Sequence, residues 1–498
     1  MNFLSKAMQD FGVEKKEKAI DPVQLFYEEL IQKPNYNFLR DNQTEFLRKW
    51  QSKREDRDVV GVMETGSGKT LAFALPICQM VDWEENKPQA LIITPTRELA
   101  MQVRKDISNI GRFKRIKSIA LYGKSSFAYQ EKQLRQKMHV VVGTPGRLLD
   151  HINRGTLDLS KLSYLVIDEA DEMLSMGFLE DIENIIRKTP SNRTSMLFSA
   201  TLPEDIKILS DKYMNNPAYI EIEEDEILPD KIEHVRYKVD YKDKMDLLES
   251  ITIIENPDTC IVFCNRRDTV DQVEESLSLL GYPCEKIHGA MEQDDRTRIM
   301  NNFKKGYFRY LIATDVAARG IDVDNISHVI NYDLPEDTES YVHRTGRTGR
   351  AGNEGKAISF IMPEDFQLLE DIHSYIGFEI KTMEGPTREE VEKSRPLFSD
   401  KLKSKIEVKT DPTDKLNKDI IKLHIAAGRK TKMRPTDIVG AISNIEGVSA
   451  GDIGIIDIQD ISTFVEILNN KGEIVLKALE TKPIKGRLRR VSIKDDID

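Results

Sequence analysis

Val59 to Thr70 read VVGVMETGSGKT. The four leading residues are too short an apolar run for a helix and suit a strand buried on both faces, and the next residues form a loop with glycines at 66 and 68. Backbone N–H groups converge on an oxyanion only where no side chains intervene, and a helix starting at Lys69 adds its dipole. Strand, glycine loop and helix in this order make a triphosphate cradle. Thr65, Gly66, Ser67 and Gly68 line it, Lys69 reaches for the β- and γ-phosphates, and Thr70 is the candidate Mg²⁺ ligand. Met63 stands where the pattern G-x-x-x-x-G-K-[ST] has its first glycine, so the loop raises the question of where that side chain goes.

A second apolar run ends in a pair of carboxylates about a hundred residues later, in YLVIDEAD (Tyr164–Asp171). Alone, such a pair is commonly a solvated turn. Beside a phosphate loop it reads differently, with Asp168 on Mg²⁺ and Glu169 orienting or deprotonating an attacking water. Further along, YVHRTGRTGR (Tyr341–Arg350) spaces Arg344, Arg347 and Arg350 three apart. Like charges stacked on one helical face repel each other unless an anion lies between them, and guanidinium forks suit a transferring phosphoryl group.

These motifs sit in a regular pattern. From residue 58 the runs DVVGVM, ALIITP, SIALYG, HVVVGTP, YLVIDE and SMLFSAT alternate with amphipathic stretches, and TCIVFCN, CEKIHGA, YLIATDV, HVINYD and AISFIMP repeat the alternation. The pattern predicts two α/β lobes with parallel sheets, one at residues 1–222 and one at 231–385, joined by an acidic, Pro-containing linker at 223–230. A charged stretch at 386–415, expected to hold a helix between flexible ends, leads to a tail at 416–498 whose elements read βαββαβ, the order of RNA-recognition modules.

At 498 residues, with 73 Lys/Arg against 84 Asp/Glu and a net charge of -11, a uniform basic coat is excluded and any polyanion site must be regional. Residues 416–498 hold 14 basic and 12 acidic residues, which leaves -13 on the rest. Much of the basic charge falls in GRKTKMR (Gly428–Arg434) and KPIKGRLRR (Lys482–Arg490), so Arg429, Lys430, Lys432, Arg434, Lys485, Arg487 and Arg489 are candidate phosphate contacts. Four cysteines without a C-x-x-C pair read as reduced, buried thiols, and no 18-residue apolar run or signal segment is evident. A cytoplasmic protein without a membrane partner is expected.

Together, DEAD (Asp168–Asp171), SAT (Ser199–Thr201), HRTGRTGR (His343–Arg350), PTRELA (Pro95–Ala100), TPGR (Thr144–Arg147) and ATDVAARGID (Ala313–Asp322) closely resemble the DEAD-box RNA helicases. The resemblance implies two RecA-like lobes and an RNA-stimulated ATPase using ATP and Mg²⁺. It implies that Arg97, Thr144, Arg147, Gln293, Arg296 and Thr314 lie along RNA, and that Ser199, Thr201 and His343 couple the two sites. Asp322 would face the ATP ribose, Arg347 and Arg350 would act as arginine fingers, and Gln43 is the candidate for reading adenine. Alanine usually stands at the Met63 position in this family, and the family's double-glycine turn reads Gly123-Lys124 here. The tail resembles the RNA-binding domain of the bacterial DbpA-type helicases, implying an RRM-like fold and structured ribosomal RNA, in large-subunit assembly, as the partner. An ATP-controlled RNA clamp and a less selective cold-shock or RNA-decay helicase are the alternatives; DNA is not the expected polymer.

Overall fold

The computed structural model describes residues 58–63, 69–112, 114–221, 232–315, 326–349, 354–404 and 419–494, with the side chains of 293 and 294 excepted. In the first lobe, strands β1 (Val59–Val62), β2 (Ala90–Ile93), β3 (Ser118–Leu121), β4 (Val140–Gly143), β5 (Tyr164–Ile167), β6 (Thr194–Ser199) and β7 (Ala218–Glu221) form one parallel sheet. Their spatial order is β3-β4-β2-β5-β6-β1-β7. Successive residues of a strand face opposite ways, so Val59 and Ile92 enter one apolar layer and Val60 and Leu91 the other. Burial on both faces is why these strands read as unbroken apolar runs.

The second lobe repeats the architecture. Strands β8 (Ile232–Lys238), β9 (Cys260–Phe263), β10 (Cys284–Ile287), β11 (Tyr310–Ala313), β12 (His328–Asn331), β13 (Gly355–Ile361) and β14 (Lys381–Met383) form a parallel sheet in the order β10-β11-β9-β12-β13-β8-β14. The charged stretch at 386–415 contains a helix, as its sequence leads one to expect, at Arg388–Lys403. Its Thr387 cap and Glu390 form a reciprocal capping box, and Val391 and Phe398 enter the second lobe's core, where Phe398 packs on Tyr282. The helix thus belongs to the packing of that lobe.

The tail is a four-stranded antiparallel sheet, β15 (Ile421–Ile425), β16 (Ile453–Ile458), β17 (Thr463–Ile467) and β18 (Val491–Ile493), in the order β16-β17-β15-β18. Helices Pro435–Ser443 and Gly472–Leu479 cover one face, where Ile438, Ile442, Val475 and Leu479 meet Leu423 and Val465. The tail rests against the first lobe, with Arg112 Nε lying 3.4 Å from Glu466 in a buried ion pair. Cys78, Cys260, Cys264 and Cys284 are all free thiols, and burial pushes Cys78 and Cys284 up to about 12. Among the described residues no helix is long and apolar enough to cross a membrane.

Candidate nucleotide and RNA site

The order of the first sheet sorts its functional residues into two halves. β1, β5 and β6 are neighbours, and Lys69 and Asp168 follow the first two in sequence while Ser199 ends the third; β2, β4 and β3 are neighbours, and Arg97, Thr144 and Gly123 follow them. In open parallel sheets, ligands bind beyond these carboxyl ends. One edge of the lobe therefore presents two adjacent sites.

On the first half, Lys69 opens the helix Lys69–Met80, and both Lys69 and Asp168 are nearly fully buried. Lys69 Nζ and Asp168 Oδ1 have no hydrogen-bond partner among the described residues. Two buried, opposite and unsatisfied polar atoms are costly unless a third group completes them, and a phosphate with its cation has the right chemistry. Burial, and then Glu169, push the Asp168 carboxyl up to about 7, against the opposing pull of Lys69. Burial also raises Glu169, with Lys69 and Arg347 lowering it. Glu169 sits in the left-handed region at φ 53°, a strained placement for a non-glycine residue and one common at active sites. No cluster of three or more His, Cys, Asp or Glu suited to a metal occurs among the described residues; Mg²⁺ on phosphates needs only one or two protein ligands.

Met63 answers the question its position raised. Its N–H donates to the Ser199 carbonyl at 3.0 Å, and its side chain is buried in the first lobe's core with Phe73 and Phe198. The side chain that replaces the glycine goes into the core.

The DEAD and SAT motifs touch through Asp171. Its carboxylate accepts from the N–H groups of Ala200 and Thr201, both at 2.9 Å, and from the Thr201 hydroxyl at 3.3 Å. The Asp171 N–H donates to Ser199 Oγ at 3.3 Å. Burial would raise this carboxyl, but Lys69, the Thr201 amide and His343 outweigh it and hold it below its ordinary value. Across the cleft, His343 Nδ1 lies 2.8 Å from Glu172 Oε1, and Arg347 stands close enough to act electrostatically on Glu169. The two lobes are closed on each other at this point.

The arginine triplet does not form one face. Arg344 is fully buried in the second lobe and grips Asp315 with Nε and Nη2, both at 2.5 Å, so only its neighbours can serve an anion. Arg347 Nε donates to the His343 carbonyl at 3.1 Å. Arg350, Asp322, Gln43, Thr65, Gly66, Ser67, Gly68 and the Gln293 side chain lie outside the described residues.

On the second half, PTRELA and TPGR fold alike. Thr96 caps the helix Arg97–Ile110 by accepting from the Leu99 N–H, and Thr144 precedes Pro145 at the first position of the helix Pro145–Asn153. Each motif thus offers a helix N-terminus with an arginine beside it, a combination suited to phosphate. Arg147 Nη1 donates to the Ser125 carbonyl (3.0 Å) and to Gln130 Oε1 (2.6 Å). Burial, and the guanidinium groups of Arg296 and Arg147, depress the pKa of Arg97. From the second lobe, Arg296 reaches Glu98 at 2.8 Å, and Thr314 directly follows β11, buried. Asp171, Glu172, Glu98 and Gln130 were not singled out in the sequence. Asp171 and Glu98 had a local signal, their places in the DEAD and PTRELA runs.

In the tail, folding joins the two basic clusters. Lys485 Nζ donates to the Lys432 carbonyl and lies 3.1 Å from Asp437 Oδ2. Lys430, Lys432, Arg434, Arg487 and Arg490 are exposed, while Arg429 lies 3.6 Å from Asp460 and Arg489 is half-buried. His424 stacks on Phe464 at 5.2 Å and bonds Ser462 at 3.0 Å. Lys494 covers the same phenyl ring, so the sheet face holds little free aromatic surface.

Two parallel-sheet lobes closed at the buried Lys69 and a carboxylate pair, with arginines beside them, define an ATPase whose second ligand is a polyanion. Comparisons with known proteins name that ligand. Residues 40–209 match the DEAD/DEAH box helicase model, 243–352 the helicase conserved C-terminal domain and 422–493 the DbpA RNA binding domain. The ATP-dependent RNA helicase DbpA of Bacillus subtilis is 57% identical over 438 residues, 88% of this chain and 91% of that protein. The DEAD-box ATP-dependent RNA helicase CshA of Bacillus thuringiensis is 42% identical over 71% of this chain and 67% of its own length. Among solved structures, S. cerevisiae Dbp5 bound to RNA and ADP BeF3 aligns with a TM-score of 0.65 at 30% identity, covering 80% of this chain and 99% of that one. The chain belongs to the DEAD-box ATP-dependent RNA helicases, in the branch that carries a DbpA-type RNA-binding domain.

Proposed function

We propose that this helicase is directed by its tail to structured ribosomal RNA and remodels that RNA during large-subunit assembly in the cytoplasm. The observation that carries the reading is the junction of the tail's two basic clusters through Lys485, which makes one phosphate-binding surface from segments about fifty residues apart. The DbpA-type resemblance supports a folded RNA as its target. Because the sheet's aromatics are covered, shape and phosphate contacts carry recognition more than base stacking does. Arg429, Lys430, Lys432, Arg434, Lys485, Arg487 and Arg489 are its candidate contacts.

In the core, Lys69 and Thr65–Thr70 bind the triphosphate, Gln43 reads adenine and Asp322 meets the ribose. Mg²⁺ held by Asp168 and Thr70 would neutralise charge on the β- and γ-phosphates. Glu169 orients and deprotonates the attacking water, and Arg347 with Arg350 meets the developing charge from the other lobe. Arg97, Thr144, Arg147, Gln293, Arg296 and Thr314 follow the RNA backbone. Asp171 with Ser199 and Thr201, and Glu172 with His343, link hydrolysis to closure. The working units are 1–222, 231–385 and 416–498, joined through 223–230 and 386–415, the latter carrying the helix Arg388–Lys403 that packs on the second lobe.

The test is ATPase stimulation by ribosomal RNA and by an unrelated RNA of equal length. A strong preference that vanishes when residues 416–498 are deleted is the expected result. Equal stimulation by both RNAs in the full chain overturns ribosomal targeting and leaves the less selective helicase.

A further inference from the structure

Most non-glycine residues avoid positive φ, and of the nine that adopt it among the described residues four are asparagines, the residue type that does so most readily. Glu169, at the candidate catalytic centre, is another. Three of the remaining four are lysines. Lys432 and Lys485 belong to the tail's basic clusters; Lys124, at φ 58°, stands on the first lobe in the turn between β3 and the helix Phe127–Leu134. A lysine gains nothing from this backbone region, where glycine is the unstrained choice, so any advantage of Lys124 there must come from its side chain.

The surroundings indicate what that side chain meets. Lys124 is exposed, and no described residue pairs with it. The turn that carries it is held from below: Gln130 Nε2 donates to the Tyr122 carbonyl at 3.2 Å, and Arg147 Nη1 to the Ser125 carbonyl at 3.0 Å. A Cβ built on Gly123 would lie 3.8 Å from Arg97 Nη2, so the turn runs beside that guanidinium. Arg97, Arg147 and Arg296 already crowd one another, and the carboxylate placed among them, Glu98, is engaged by Arg296 at 2.8 Å. A fourth cation added to the rim of such a cluster raises its energy until a polyanion arrives.

We propose that Lys124 is an additional RNA-phosphate contact of the first lobe, one that positions the strand entering the Arg97–Arg147 groove. It rests on the reading of Arg97 and Arg147 as RNA-side residues. Its side chain acts through charge and not through base identity, so it contributes affinity without sequence preference.

The experiment uses the full chain, an unstructured oligouridylate and a non-hydrolysable ATP analogue, with binding measured across a salt series. Lys124→Gly is expected to bind about threefold more weakly at roughly 0.1 M salt, with the slope of log K against log salt shallower by about 0.7, the loss of one single-strand phosphate contact. Its unfolding midpoint stays level or rises, because the strained backbone is relieved. Lys124→Arg keeps the wild-type affinity and slope. A wild-type slope for Lys124→Gly, alongside weakened binding by Arg147→Ala, overturns the role of Lys124 alone. If Lys124→Arg loses affinity as Lys124→Gly does, the shape of the turn and not charge is responsible, and the proposal fails. If Arg147→Ala also binds normally, the RNA-side reading of this groove fails first.

Discussion

Arg344 and Asp315 form a bidentate ion pair inside the second lobe, both contacts at 2.5 Å, with Arg344 fully buried. Asn265 Oδ1, Asn331 Oδ1 and the Asp333 carbonyl take the remaining guanidinium protons. The arginine that sequence spacing groups with Arg347 and Arg350 is thus part of the scaffold beneath them. Removing one partner of a buried pair leaves an uncompensated charge, so Arg344→Ala should destabilise the second lobe by about 3–5 kcal/mol. Arg347→Ala should leave the unfolding transition in place and lower ATP turnover by roughly 10³-fold, as loss of an arginine finger does. Denaturant unfolding beside RNA-saturated ATPase rates separates the two. Equal stability losses would mean that both arginines are structural.

Met63 is buried in the first lobe's core, and that makes its substitution a stability experiment. Met63→Ala leaves a cavity beside Phe73 and Phe198 and should cost about 2–4 kcal/mol, with the KM for ATP unchanged. A change in KM at constant stability would mean that the side chain reaches the nucleotide after all.

The carboxyl of Asp168 gives the metal-free fold a pH dependence of definite sign. Its folded value of about 7 lies above the unfolded one, so as pH rises from about 4 the unfolded chain releases its proton first. This group therefore weakens the metal-free fold progressively up to about pH 7, and the loss is complete above that. Asp168→Asn should melt at a higher temperature than the natural protein at about pH 8 without metal or nucleotide. The advantage should vanish below about pH 3, where Asp168 is neutral in both states, and ATP turnover should be lost at every pH. An advantage that is the same at both pH values would show that packing and not ionisation sets it.

Much of this architecture is legible from the residues, and the exceptions have physical causes. The strands read from sequence are those covered on both faces, such as Val140–Gly143 and Cys260–Phe263, because dry faces demand apolar side chains throughout. The strand Ala218–Glu221 alternates buried and exposed residues, and Ile232–Lys238 carries Glu233, Arg236 and Lys238, so neither stands out by hydropathy. In the site, Lys69 and Asp168 announce themselves because phosphate chemistry admits few residue types. Glu172 and Glu98 do not, since a carboxylate on a helix usually faces water and only the closed second lobe brings His343 and Arg296 onto them. The fate of Arg344 is hidden for the same reason: its partner, Asp315, lies 29 positions away.

Gly428 tests whether the tail's basic surface depends on its fold. A Cβ there would lie 2.3 Å from the Gln459 carbonyl oxygen and within 2.8 Å of Asp460 backbone atoms, none of which can rotate away. The same contact sets the basic cluster, because the N–H groups of Arg429 and Lys430 donate to the carbonyls of Gln459 and Asp460, both at 2.8 Å. Gly428→Ala must push this turn off the end of β16, at an overpacking cost of about 1–3 kcal/mol. The variant should lose any preference for ribosomal over unrelated RNA in ATPase stimulation, while the rate at saturating unrelated RNA stays unchanged. Should the preference survive with the tail's unfolding transition lowered, the Lys482–Arg490 segment would carry recognition without the turn at Gly428.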